Sequence, residues 1–432
     1  MAKKLGASYW KLLSATAISN LGDGISTVAY PWLASAITRS PILIALAAVA
    51  SRLPWLIFTL PAGVITDRFD RRKIIASMDF FRGLLTLIVA AVVFQQRNTL
   101  PSLNHVASIT QVKTNWTLYL VSMFAALLFG FAEVLRDNAA QTFMPSVVDE
   151  ENLEKANGRM WSAESLTNSF IGPPLGSLLI VIAISLPFFV DAGSFFIAAA
   201  LIAIIPGIFS AKPNSENLEK VNFRVDLKEG FMWLWSHTLL RPMAIILGCM
   251  NGIGSFVGAV FILFAQEILH TSVFIFSILG TAGAIGGVLG GTLGPRFSKK
   301  IGSGTSLALV LISSPIFLIL IGSTNSWQIA WVVIAVETFF AVLWNVITVS
   351  LRQSIIPVHL LGRVNSVYRF FAWGSIPIGI LLGGLSVTLI HHVASREFAL
   401  RAPYFLGASL SILLAIFAIP RLTTSRIEAA RS

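Results

Sequence analysis

The sequence predicts an all-α integral membrane protein whose twelve transmembrane helices form two pseudo-symmetric six-helix bundles. Composition is the first observation behind this fold class. The chain has 432 residues, of which 55% are hydrophobic and only 12% are charged, and its mean hydropathy is +0.79. A soluble protein cannot cover such a composition with a wettable surface. The lipid bilayer is therefore the predicted surrounding of most of the chain.

The spacing of the apolar runs is the second observation. A helix needs about 20 apolar residues to cross a bilayer, and twelve runs reach that length between breaks rich in polar residues, Gly or Pro. The predicted spans are 9–37, 42–65, 74–94, 117–141, 161–183, 187–208, 241–268, 273–294, 303–322, 327–351, 364–390 and 403–420.

Lys and Arg set the predicted orientation. Most of the 31 basic residues fall at cytoplasmic helix ends and loops when both termini are placed in the cytoplasm, as the positive-inside rule requires. The expected location is the plasma (inner) membrane. The predicted domains are an N-terminal bundle (1–208), a cytoplasmic connector (209–240) and a C-terminal bundle with a short tail (241–432). The connector contains an amphipathic stretch, which predicts a helix lying along the inner membrane surface or packing on the bundle.

A charged loop lies between the second and third predicted spans and has a weaker copy in the second half. The first copy is GVITDRFDRRK, and its candidate gating residues are Gly63, Asp67, Arg68, Asp70, Arg71, Arg72 and Lys73. The second copy is GTLGPRFSKK, with candidates Gly291, Arg296, Lys299 and Lys300. A basic loop repeated once in each half predicts a duplicated membrane transporter. The alternative is that the bases only hold the loop inside.

The fifth predicted span contains Gly172-Pro173-Pro174-Leu175-Gly176. Proline removes a backbone hydrogen bond, and glycines on either side loosen the helix while allowing close packing. Gly172, Pro173 and Gly176 therefore predict a point at which the helix flexes or seals against a neighbour. A kink without directional meaning is the alternative.

Charges within the spans are the candidate cavity or proton-coupling residues, because an unpaired charge in the membrane is costly and usually has a partner or a purpose. They are Asp23, Arg52, Glu133, Arg136 and Glu337. Because consecutive helices usually neighbour one another, we expect an ion pair between Asp23 and Arg52. Glu133 and Arg136 share a helix face with Asp137, and Glu337 has no obvious basic partner. Static ion pairs or polar packing contacts are the alternative for each of them.

These motifs carry a family resemblance. The first loop resembles the G-x-x-x-D-R-x-G-R-R/K motif of the major facilitator superfamily, with Asp70 where that family usually has Gly. The motif in the fifth span resembles the G-P-x-x-G core of its antiporters. Further segments, in order, resemble the siderophore-exporter (enterobactin exporter-like) and macrolide-efflux branch: Leu21–Gly24, Arg52–Trp55, Asp79–Arg82, Asp191–Phe195 and Glu229–Arg241. Arg136 lacks the R-x-x-Q-G context of many drug–proton antiporters.

The resemblance implies alternating access by rocking of the two bundles. It implies that the first, fourth, seventh and tenth helices line the cavity, which places Asp23, Glu133 and Glu337 towards it. A desolvated carboxylate there can exchange protons. It further implies that Asp67 meets the inner end of the eleventh helix, while loop bases engage carboxylates such as Asp137 to latch the outward-facing state.

The predicted function is secondary active transport: proton-coupled export of an amphipathic organic solute, such as a drug, a macrolide or a siderophore-like molecule. The expected partners are that small-molecule substrate, protons and the lipid bilayer, and the expected state is a monomer. The sequence predicts no enzyme, cofactor, metal or nucleic-acid partner, since bases lie in short loops and the six His lack ligand spacing. Two alternatives remain: a lipid or lysophospholipid flippase or importer of the same fold, and a non-transporting receptor or scaffold.

Overall fold

The computed structural model describes residues 5–101, 109–207, 209, 223–357 and 360–429, and every regular element within them is helical. The helices are α1 (Ala7–Ile37), α2 (Pro41–Ile57), α3 (Thr59–Arg68), α4 (Arg71–Gln95), α5 (Trp116–Val147), α6 (Leu153–Glu164), α7 (Gly172–Ile182), α8 (Leu186–Ala203), α9 (Phe223–Ser236), α10 (Leu240–Gly258), α11 (Phe261–Glu267), α12 (Val273–Ile301), α13 (Ser303–Ser323), α14 (Trp327–Ile355), α15 (Leu361–His391), α16 (Arg396–Ala418) and α17 (Thr424–Ala429). A π-helical turn, Ser165–Ile171, joins α6 to α7.

Each predicted span coincides with one or two of these helices. In the described residues, ten helical stretches are long and apolar enough to cross a membrane, and the shorter α2 is also apolar. α1 has 31 residues but carries Asn20 and Asp23, which lower its hydropathy. The all-helical membrane fold is therefore confirmed, whereas the count of twelve crossings stays a prediction.

Several spans differ from their predicted limits. The second is interrupted at Phe58, between α2 and α3, and the seventh is interrupted between α10 and α11. The twelfth begins earlier than predicted, because Ser395 caps α16 by accepting a hydrogen bond from the Phe398 N–H at 3.2 Å. The first turns of α16 are polar but ordered, since Arg401 donates to the carbonyl of Gly322 at 2.7 Å.

The chain groups into two compact units, residues 1–213 with 270–281 (the first unit) and residues 214–269 with 282–432 (the second unit). The core of the first unit contains Tyr9 and Phe143, and the Tyr9 hydroxyl donates to the carbonyl of Ala156 at 3.1 Å. The core of the second unit is built around Trp344 and Tyr368. The predicted domain limits at residues 208 and 240 stay a prediction.

The connector helix α9 packs on α15 in the second unit. Glu229 forms an ion pair with Arg363, and Leu234 is buried. At Gly230, an added Cβ would lie 2.8 Å from the backbone carbonyl of Arg363, so the two helices touch through their backbones there. Trp235 on the same helix is exposed. α9 therefore packs on helices of its own unit, which is one of the two arrangements predicted for the connector helix.

A histidine caps the start of α10. The Nδ1 atom of His237 accepts hydrogen bonds from the N–H groups of Leu239 and Leu240, each at 3.2 Å. Burial lowers the pKa of His237 below its ordinary value, because the charged imidazolium loses hydration. An imidazole that accepts through Nδ1 is neutral at that atom, so the cap needs the unprotonated ring.

Candidate functional site

Five charged side chains form a buried network in the first unit, here called the charge cluster: Asp23 on α1, Asp79 and Arg82 on α4, and Arg136 and Asp137 on α5. Arg82 lies 2.8 Å from Asp23 and 3.2 Å from Asp79. Arg136 lies 3.4 Å from Asp79 and 3.2 Å from Asp137. Asp79 contacts both guanidinium groups, and the four ion pairs together join α1, α4 and α5.

The cluster holds three carboxylates and two guanidinium groups, so one carboxylate is in excess. An arginine stays protonated under all biological conditions, which leaves the carboxylates as the groups that can change charge. The Asp79 side chain is fully buried, whereas those of Asp23 and Asp137 are 25% and 35% exposed. The cluster is therefore sealed at its centre and accessible at its two ends.

Aromatic rings fix the position of Arg82. Its Cζ atom lies 4.1 Å from the ring centroid of Phe195 and 4.5 Å from that of Phe129. Both contacts are within cation–π range. Only 2% of the Arg82 side chain is exposed, so the guanidinium is surrounded by rings and carboxylates.

The predicted ion pair between Asp23 and Arg52 is wrong. Asp23 pairs with Arg82, and Arg52 is exposed on α2. The expectation rested on consecutive helices being neighbours, but α1 packs along α7 and α8 and hardly touches α2. Asp79 and Arg82 were not among the site residues predicted from the sequence. Their spacing of three residues inside an apolar run was the available signal, since it places both on one helix face.

Glu133 lies one turn before Arg136 on α5. It accepts a hydrogen bond from the Trp55 indole N–H of α2 at 3.2 Å. Arg136 uses its guanidinium for Asp79 and Asp137, so the predicted common face of α5 is divided between two neighbouring helices. Asp137 pairs with Arg136 rather than with the loop bases expected to engage it.

A second buried carboxyl lies between α1 and α8. Asp191 is 1% exposed and accepts a hydrogen bond from the Ser26 hydroxyl at 2.5 Å. Gly22 makes room for it, because an added Cβ there would lie 2.3 Å from the Asp191 Oδ1 and 2.1 Å from the Ser194 Oγ. Asp191 too was not predicted as a site residue.

The glycines of the fifth predicted span pack against α1 backbone to backbone. An added Cβ at Gly172 would lie 2.6 Å from the Cα of Gly24, and one at Gly176 would lie 2.6 Å from the carbonyl oxygen of Ile25. Residues without side chains are what such an approach requires. The motif thus forms a close helix–helix seam, here called the glycine seam.

The irregularity in this span precedes the motif. The helical stretch runs without a break from Lys155 to Ile182, so Pro173, early in α7, lies inside it and removes a helical hydrogen bond. The π-helical turn Ser165–Ile171 immediately before α7 also changes the backbone geometry, and such turns are frequent at functional sites. The predicted flex point is therefore a π turn followed by a regular helix.

The first charged loop is short, because α3 runs to Arg68 and α4 begins at Arg71. Asp70 caps α4 by accepting from the N–H groups of Arg72 and Lys73 at 2.9 and 3.3 Å. It also accepts from the N–H of Phe209 at 3.3 Å. The family position occupied by Gly thus holds a helix cap here.

The remaining candidate residues of this loop differ in their contacts and exposure. The Arg72 side chain donates to the carbonyl of Ile205, beyond the end of α8, at 2.5 Å. Arg68 and Lys73 are exposed, and a Cβ at Gly63 would meet nothing within 4 Å. The Asp67 side chain lies outside what the structure describes, so its contact with the eleventh helix stays a prediction.

The second copy of the motif is not a loop. The predicted span ended at residue 294, but α12 continues to Ile301 and contains Gly291, Arg296, Lys299 and Lys300. All four are exposed. Lys299 and Lys300 lie in the last turn, where positive charge is favourable beside the partial negative charge of a helix C-terminus. This placement explains why the helix extends through a basic segment.

Glu337 lies near the middle of α14 in the second unit and lines a cavity of about 310 Å³. The charge cluster belongs to the first unit. The sequence-predicted candidates therefore separate into Asp23, Glu133 and Arg136 around one polar centre, and Glu337 at another.

Comparisons with known proteins agree with this architecture. The family model described as Major Facilitator Superfamily matches residues 12–378. "Multidrug efflux pump Tap" of Mycolicibacterium fortuitum is 25% identical over 385 residues, which cover 86% of this chain and 87% of that protein. "Macrolide efflux protein A" of Streptococcus pyogenes is 23% identical over 385 residues, which cover 87% of this chain and 88% of that protein.

Solved structures share the fold. A bacterial homologue of the iron transporter ferroportin in its inward-facing state superposes with a TM-score of 0.67 at 15% identity, covering 96% of this chain and all of that one. The nucleoside transporter NupG gives a TM-score of 0.67 at 12% identity, covering 96% of this chain and 99% of that one. The chain belongs to the major facilitator superfamily and is a multi-pass membrane transporter, not an enzyme.

Proposed function

We propose that this transporter exports an amphipathic organic solute, of the drug, macrolide or siderophore-like kind, across the plasma membrane in exchange for protons. The two halves, 1–208 and 241–432, alternate access to a site between the membrane faces, and both termini are cytoplasmic. Relatives named as multidrug and macrolide efflux proteins support the solute class and the direction.

The observation that carries the proton coupling is the excess carboxylate of the charge cluster. An uncompensated negative charge inside a membrane protein costs several kcal/mol, and a proton removes that cost. Asp23 is the candidate proton acceptor, because it is accessible and shares Arg82 with the sealed Asp79. Protonation of Asp23 releases Arg82 from one of its two partners, which changes the contact between α1 and α4.

Inverted membrane vesicles test this function. A growth screen of a deletion strain against antibiotics and siderophore precursors first identifies a transported solute. We expect vesicles to accumulate that solute when their interior is acidified. Asp23→Asn should abolish proton-driven accumulation while solute exchange without a gradient persists, because the neutral amide cannot carry the proton. Glu397→Gln, at an exposed carboxylate of α16, is the matched control.

Two outcomes would contradict the proposal. Accumulation that ignores the proton gradient, or that survives in Asp23→Asn, would remove proton coupling. Movement of a lipid analogue between leaflets with no solute flux would favour the flippase alternative instead.

A further inference from the structure

The cavity of the second unit is bounded by α10, α13 and α14, with contributions from α15 and α16. Its polar lining consists of Glu337, Asn251, Ser255, Ser313, Ser314 and Ser411. Apolar side chains complete the wall, and none of the lining residues is basic. The cavity therefore offers hydrogen-bond acceptors and one carboxylate to whatever enters it.

Glu337 differs from the carboxylates of the charge cluster in having no protein cation beside it. Among the described residues, none forms an ion pair with Glu337 or donates a hydrogen bond to its side chain. Asp79, by contrast, contacts two guanidinium groups in its own unit. The Glu337 side chain is partly buried. A carboxylate within a membrane span that lacks a partner is costly, and a positively charged ligand would supply the missing charge.

The neighbouring groups suit an ammonium rather than a metal ion or a neutral polar group. The Asn251 amide N–H₂ donates to the carbonyl of Ala372 at 2.7 Å, so its side-chain oxygen remains as an acceptor. The rings of Phe317 and Phe340 also line the cavity, with centroids 5.8 Å apart. Aromatic faces attract organic cations and cover their alkyl groups.

The size of the cavity limits what it holds. At about 310 Å³ it is at the lower end of the roughly 300–1,000 Å³ typical of ligand pockets. That volume accommodates an amine head group with a small ring or a few alkyl carbons, but not a whole macrocycle.

From these observations we infer that Glu337 and its cavity bind the cationic amine head of the exported solute. The inference rests on the proposed function and names the substrate class: amphipathic organic cations. Glu337 supplies the charge, Asn251 and the serines accept hydrogen bonds, and Phe317 and Phe340 cover the apolar part of the head group.

Equilibrium binding to purified protein in nanodiscs tests the inference without any flux. The probe is radiolabelled benzyltrimethylammonium, which is permanently charged and fits the cavity. Glu337→Gln should weaken its binding roughly 10- to 100-fold, the range expected from losing one interaction with a charged group. Glu337→Asp should keep most of the affinity. Glu397→Gln makes the same charge change at an exposed site and should bind as the unaltered protein does.

A second measurement covers the case in which Glu337→Gln does not fold. An apolar carbodiimide should modify Glu337 in the unaltered protein, and the cation should slow that modification, as followed by mass spectrometry of the peptide. Equal affinity in Glu337→Gln, or modification that the cation leaves unchanged, overturns the inference.

The outcomes separate this inference from the proposed function. Binding that depends on Glu337, together with solute movement that ignores the proton gradient, keeps the cation site and rejects proton coupling. Proton-driven transport with cation binding that does not depend on Glu337 keeps the proposed function and rejects the site.

Discussion

The glycine seam between α1 and α7 gives the sharpest prediction for stability. Gly176→Ala places a Cβ 2.6 Å from the carbonyl oxygen of Ile25, whereas ordinary contact begins at 3.4 Å, so the helices must separate by about 0.8 Å at this point. Forcing one extra carbon into a tight contact costs roughly 1–3 kcal/mol. The obstacle is backbone and cannot rotate away, so the free energy of unfolding should fall by an amount in that range.

The matched control is Gly193→Ala on α8, where an added Cβ would meet nothing within 4 Å. Alanine favours a helix over glycine by up to about 1 kcal/mol, so this variant should be unchanged or slightly more stable. Equilibrium unfolding in mixed micelles of increasing dodecyl sulfate fraction, followed by circular dichroism, measures both variants. If Gly176→Ala unfolds at the same dodecyl sulfate fraction as Gly193→Ala, the glycine seam is not a tight backbone contact.

Two further predictions concern charge. Asp79→Asn should lower the free energy of unfolding by on the order of 3–5 kcal/mol, because it leaves two buried guanidinium groups without their shared carboxylate. The control Glu397→Gln, at an exposed carboxylate, should change that free energy by less than about 0.5 kcal/mol. Equal effects of the two variants in the same unfolding assay would contradict a stabilising role for the charge cluster. The His237 cap should be intact above its ordinary pKa of about 6.5 and lost as pH falls below that value through the lowered folded pKa. In amide hydrogen exchange corrected for intrinsic rates, the backbone amides of Leu239 and Leu240 should therefore be less protected at pH 5 than at pH 7.5. His237→Asn, whose side chain can cap the helix without titrating, should remove that difference. Equal protection at the two pH values in the unaltered protein would contradict the cap.

Much of the fold could be predicted because a bilayer imposes length and composition on each crossing. The predicted spans coincide with helices throughout the described residues. Interruptions inside a span were harder to predict. The break at Phe58 lies in sequence that is apolar on both sides, and the π turn Ser165–Ile171 contains neither Gly nor Pro. The basic residues Lys299 and Lys300 predict a loop, but α12 extends over both, because positive charge is also favourable at a helix C-terminus.

The site was predicted less completely than the fold. Hydropathy finds charged residues within spans, which is how Asp23 and Glu337 were identified, but it does not tell which helices touch. The partner of Asp23 depended on that packing: α1 lies along α7 and α8 rather than α2, and Arg82 reaches it from α4. Asp191 could not be predicted for a related reason: its carboxyl is buried in the space left by Gly22 on another helix, and the sequence does not show that these two residues meet.

Simultaneous measurement of solute and proton fluxes in proteoliposomes is the decisive test of proton-coupled export. Purified protein is reconstituted with a pH-sensitive dye inside the liposomes, and the movements of solute and protons are recorded together. We expect solute to move against its own gradient while protons move in the opposite direction, and both movements to stop when a protonophore abolishes the gradient. Solute movement with no accompanying change in internal pH, unaffected by the protonophore, would contradict it.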